Sequence, residues 1–186
     1  MKNPAIIKYA CYMSNASMSA TANISPLLFI TFHQLYGISY TLLGLLVLVN
    51  FCTQLIVDLV FSFYSHKFDI SKTIRVMPVL TIIGLVIYSL MPALFPGFTY
   101  TFLLIGTIIF SASAGLAEVL TSPVIAALPS DNPERDMSRA HSVYAWGVTA
   151  VVLLSTLYLQ VFGRETWYIL ALMWAIIPLI AFILFM

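Results

Sequence analysis

The stretch from Tyr100 to Leu128 constrains this chain most. It consists mainly of Leu, Ile, Phe, Ala, Gly, Ser and Thr and carries one charge, Glu118. It is also longer than the roughly 20 residues a helix needs to cross a bilayer. A carboxylate at the centre of such a span costs about 2.5–3.5 kcal/mol on insertion scales, so it is expected to face a polar cavity or a partner. Glu118 is therefore the first candidate functional group. Ser111, Gly115, Glu118 and Ser122 follow a 4-3-4 spacing, which at about 100° per residue keeps them on one narrow stripe.

Composition extends this reading to the whole chain. Hydrophobic residues make up 61% and charged residues 8%, with a mean hydropathy of +1.01, against about 25% charged in a soluble domain. The class is an all-α polytopic membrane protein. A net charge of +1 without a dense basic cluster gives no reason to expect a nucleic-acid partner. Cys11 and Cys52 both fall in apolar stretches, where packing is the expected role. The first apolar stretch is too long for a signal core and is expected to stay in the membrane.

Six spans are predicted, over Ala5 to His33, Tyr40 to Ser65, Arg75 to Phe95, Tyr100 to Leu128, Ser138 to Phe162 and Thr166 to Met186. This places Lys2, Lys8, Lys67, Lys72, Arg75, Arg135 and Arg139 on one side of the bilayer and Arg164 alone on the other. Seven against one puts both termini in the cytoplasm, as in a plasma (inner) membrane protein. Tyr36, Tyr40, Phe98, Tyr100, Trp167 and Tyr168 are expected in an aromatic belt at the outer face.

The first, second, fourth and fifth spans carry polar side chains, and the third and sixth carry few. Polar groups turn away from lipid, so spans one, two, four and five are expected to line an interior with three and six outside against lipid. The first and fourth share a Ser-Pro step, Ser25-Pro26 and Ser122-Pro123, 97 residues apart. An odd number of spans per repeat inverts the second copy, which gives a 3+3 inverted repeat.

Two rows stand out. Tyr12, Asn15, Ser19 and Asn23 form a stripe on the first span, with Asn15 and Asn23 as candidates for solute contact. Asn50, Gln54, Asp58 and Ser62 recur every four residues on the second, staying on one side of a helix. The amides of Asn50 and Gln54 could donate to and accept from the hydroxyls of a polar solute or tie helices together. Asp58 lies nearer the cytoplasmic rim, where a structural pair is expected. His141 and Tyr144 share a face of the fifth span, with helix-end contact and solute or proton contact both open for His141.

This arrangement resembles the N-terminal half of a major facilitator superfamily transporter. The family's loop signature, Gly-x-x-x-Asp-Arg/Lys-x-Gly-x-Arg-Arg/Lys, is present in part between the second and third spans. Ser62 stands at the first glycine, His66 at the aspartate, Asp69 at the second glycine and Ser71 at another basic position, while Lys67 and Lys72 match. The resemblance implies a cytoplasmic gate at Asp58, His66 and Lys67. The fourth span is similar to the Gly-x-x-Glu-x-x-x-Asn-Pro of the fucose permease-like sugar:proton symporters, with Gly115, Glu118 and Pro123 matching and Ser122 at the asparagine. Those symporters carry an acid on the first span, and here no Asp or Glu precedes Asp58.

The resemblance implies that Glu118 takes up the coupling proton while Asn15, Asn23, Asn50 and Gln54, with His141 and Tyr144, hold a small polar solute such as a sugar. It further implies a second six-helix half, in a missing C-terminal part or another chain, because the sequence stops at Leu184-Phe185-Met186 without a cytoplasmic tail. No cofactor or metal is expected. An intramembrane enzyme is the alternative class, but Ser111-Ala112-Ser113-Ala114 lacks the glycine of the rhomboid-protease serine motif and there is no His-Glu-x-x-His. A channel is suggested only by Asn3-Pro4-Ala5, a single tripeptide ahead of any span.

Overall fold

The computed structural model describes residues 3–186 and is all-helical, with no strand among the described residues. Lys2, counted above with the basic residues, lies outside them. Helices α1 (Pro4–Leu27) and α2 (Phe29–Tyr36) are one rod interrupted at Leu28, and α7 (Trp167–Trp174) and α8 (Ile176–Phe185) are another interrupted at Ala175. Pro178 explains the second break: it has no N–H for the Trp174 carbonyl and its ring crowds that oxygen. Between these rods run α3 (Tyr40–Tyr64), α4 (Ile70–Leu94), α5 (Thr99–Ala127) and α6 (Pro133–Phe162).

Helix starts follow local chemistry. The side chains of Ser39, Asp69 and Asn132 accept hydrogen bonds from the backbone N–H of Leu42, Lys72 and Arg135, each removing one unpaired amide of a first turn. Asp69 and Asn132 start α4 and α6 about five residues ahead of the predicted spans, because a helix can continue past the apolar zone. Among the described residues, five helical segments are long and apolar enough to cross a membrane, beginning at Tyr40, Ile70, Pro96, Pro133 and Arg164. The α1/α2 rod is not among them, since its row of Ser, Thr and Asn dilutes its hydropathy.

Both described ends of the chain lie at one end of the bundle, where Pro4, Ile70, Ala127 and Phe185 border one groove. At that end Lys8 on α1 donates to Asp136 on α6 at 2.5 Å, and Ser130 donates to the same carboxylate oxygen at 2.6 Å. Aromatic residues gather at the far end. The Trp167 indole N–H donates to the Tyr36 hydroxyl at 3.1 Å, Tyr100 donates to the Leu42 carbonyl at 3.1 Å, and the His33 ring stacks on Tyr40.

α5 is the central helix, packed on α4, α3 and α1; α1 in turn packs on α6 and α8. Where α4 crosses α5 the backbones nearly touch. A Cβ on Gly84 would meet the Phe110 nitrogen at 2.7 Å, and one on Gly106 would meet the Tyr88 Cβ at 2.7 Å and the Gly84 carbonyl at 2.8 Å. Small residues permit this approach, and dispersion then holds the pair where lipid supplies no hydrophobic drive. Phe32, Tyr88, Phe110 and Trp167 close over the crossing as a wholly buried aromatic cluster, with Phe32 edge-on to Trp167 at 4.9 Å.

Burial within this chain does not follow the expectation that the third and sixth spans lie outside the other four. α4 is well buried, whereas α3 and α6 leave most of their surface exposed. The reason is geometric: α4 is clamped behind α5, and α3 and α6 flank an open cleft.

Substituting Gly106→Leu should therefore destabilise the protein by at least about 1–3 kcal/mol, the usual cost of overpacking, read as a lowered thermal melting point in detergent. Gly44 has open space around it. Gly44→Ala should leave that melting point unchanged or raise it, since alanine is the better helix former.

Candidate functional site

The polar rows of the sequence meet in a cleft of about 450 Å³ between α1, α3, α5 and α6. Gln54 and Asp58 reach it from α3, Glu118 and Ser122 from α5, His141 and Tyr144 from α6, and Asn15 from α1. The stripe on α5 explains the shape. Ser111 and Gly115 face α3 and are buried, and within one further turn Glu118 stands exposed in the opening.

Gly115 sets that separation. A Cβ there would lie 3.0 Å from the Gln54 carbonyl, 3.0 Å from the Val57 Cβ and 3.2 Å from Asp58 Oδ1. Gly147 does the same for α6 against α1, where a Cβ would overlap the Ser19 hydroxyl at 2.3 Å. Two close approaches thus fix the walls of the cleft.

The predicted candidates divide into two groups. Asn50 is buried and turned into the α3–α5 contact, where its Oδ1 accepts from the Ser111 hydroxyl and from Gln54 Nε2. Asn15 borders the cleft but is committed: its Nδ2 donates to the Ala140 carbonyl at 3.2 Å and its Oδ1 accepts from Thr121 at 3.1 Å. Asn23 lies outside the cleft lining and donates to the Ser19 carbonyl of its own helix at 2.8 Å. His66 and Lys67 sit in an exposed 3₁₀ turn after α3, also apart from the lining, with Lys67 over the Tyr64 ring at 5.0 Å. These five residues serve as ties or surface groups in this arrangement.

The other predicted candidates, Gln54, Asp58, Glu118, His141 and Tyr144, line the cleft. No Lys or Arg lines the cleft, and no ion pair involves Glu118 among the described residues. Glu118 is close enough to Asp58 and Tyr144 to act on both electrostatically. Asp58 Oδ1 is buried against α5 and has no hydrogen-bond partner among the described residues. Asp58 thus places a second acid in this cleft, from α3. No group of three His, Cys, Asp or Glu that could hold a metal occurs among the described residues.

Sequence reasoning overlooked Thr121 and the Lys8–Asp136 link. Thr121 is three residues from Glu118, and that spacing could have placed it beside the cleft. Lys8 and Asp136 are 128 residues apart, and no pattern in the sequence pairs them.

A comparison with protein-family models finds no match, and a comparison with curated proteins also finds none. The geometry of the cleft therefore carries the functional argument.

The division between ties and free groups has a measurable consequence. Asn50→Ala leaves the buried Ser111 hydroxyl without its acceptor and should destabilise the protein by about 1–3 kcal/mol. Glu118→Gln changes an exposed group and should shift stability by no more than about 0.5 kcal/mol. Thermal unfolding of both variants in one detergent checks this.

Proposed function

We propose that this chain is one six-span half of a major facilitator-type carrier that moves a small polar solute, such as a sugar, together with a proton. The observation that carries it is Glu118, exposed in a cleft without a cation and flanked by Gln54, Asp58, His141 and Tyr144. A carboxylate in this setting can gain and lose a proton as water reaches it, and neighbouring amide and phenol groups can hold a polyhydroxylated solute.

The packing supports a 3+3 inverted repeat in which α1/α2, α3 and α4 correspond to α5, α6 and α7/α8. The α1–α6 contact is then the counterpart of α5–α3, and the contact of α1 with α7 and α8 is the counterpart of α5–α4. In this reading α1/α2 is the sixth span, polar because it faces the cleft, and the chain lies in the plasma membrane with both termini cytoplasmic. The second half covers the open side of the cleft between α3 and α6, and transport proceeds as the two halves rock about the solute.

In liposomes holding the assembled carrier, Glu118→Gln should abolish solute-driven proton uptake and leave counterflow exchange. Proton uptake that persists in the variant would remove Glu118 from the coupling role. Flux that neither saturates nor shows counterflow would point to a channel.

A further inference from the structure

At the end of the bundle where α1 and α4 begin and α5 and α8 finish, a groove of about 610 Å³ opens between them. Its walls are apolar, with Ile7 from α1, Ile74 from α4, Ala127 from α5 and Phe185 from α8. Its lip carries Ser71 and Arg75, which are four apart on α4 and share a face. Of the neighbouring basic groups, Lys8 meets Asp136 and Lys72 meets Asp69 at 3.6 Å; Lys67 and Arg135 do not line the groove. Arg75 is exposed and makes no ion pair among the described residues.

No Asp or Glu lines the groove. Asp69 caps the first turn of α4 and pairs with Lys72, so the charge left at this lip is that of Arg75. An uncompensated guanidinium above a hydrocarbon-lined trough matches an amphiphile with an anionic head and an apolar tail. A zwitterionic head would bring its own cation to Arg75.

We propose that this groove binds one anionic phospholipid, with its phosphate on Arg75 and Ser71 and one acyl chain along Ile7, Ile74 and Phe185. This rests on the membrane-spanning reading above. The guanidinium offers two parallel donors to phosphate oxygens, and Ser71 offers a third. The apolar walls then hold the chain at the level of the glycerol backbone.

The test is native mass spectrometry of the protein released from nanodiscs of equal parts phosphatidylglycerol and phosphatidylcholine. The wild type should retain phosphatidylglycerol over phosphatidylcholine by about fivefold, the share of one basic residue near anionic lipid. Arg75→Gln should bring that ratio close to one, and Arg75→Lys should restore part of it. Lys72→Gln, which lies off the groove and loses only its contact with Asp69, should leave it unchanged. Ala127→Trp fills the trough with Arg75 intact and should displace the retained lipid.

Equal retention of the two lipids by the wild type, unchanged preference in Arg75→Gln, or full retention in Ala127→Trp would each overturn the proposal. So would a groove closed to both lipids by a second copy or a further segment of the chain. Protein that fails to enter nanodiscs at all would overturn the membrane reading with it, whereas entry without preference would overturn the lipid site alone.

Discussion

A carboxylate on an apolar helix must have water, a cation or a titratable neighbour within reach, and the placement of Glu118 answers to that requirement. No cation is offered to it. Two close helix approaches open a cleft at its depth instead. Gly115 brings α3 against α5 and Gly147 brings α6 against α1, so the walls are set by backbone contact and the acid is left standing between them. Were either glycine larger, the polar residues on those helices would be displaced from one another.

The same economy governs the remaining polar groups. Hydrocarbon gives a buried amide or hydroxyl no partner, so most of them are spent on holding helices together. Asn50 with Ser111, Asn15 with Ala140 and Thr121, and Ser25 with the Tyr88 hydroxyl tie α3 to α5, α1 to α6 and α5, and α1 to α4. Asp58, Glu118, His141 and Tyr144 face the cleft, as does Gln54, whose Nε2 is already given to Asn50.

Much of this was legible in the sequence, because helical periodicity fixes which residues share a face. The row Asn50, Gln54, Asp58 and the stripe Ser111 to Ser122 do meet across α3 and α5. Periodicity does not say how near two helices come. Asn50 and Gln54 are one turn apart, yet one is consumed by a tie and the other borders the opening, a difference decided by Gly115 on another helix. Asn23 has the right face but reaches back to the Ser19 carbonyl, a local bond that competes with any solute. The burial of α4 was likewise invisible, since Gly84 and Gly106 show their role only when the two helices cross.

The central claim is that Glu118 stands in a wet cleft and not against lipid tails, and thiol accessibility at that position tests it most directly. Cys52 is exposed and Cys11 buried, so Glu118→Cys would be made together with Cys52→Ser and treated in sealed vesicles with a charged, membrane-impermeant thiol reagent. The account predicts rapid labelling that a saturating transported solute slows. Labelling only by an uncharged, lipid-soluble reagent, unaffected by solute, would contradict it.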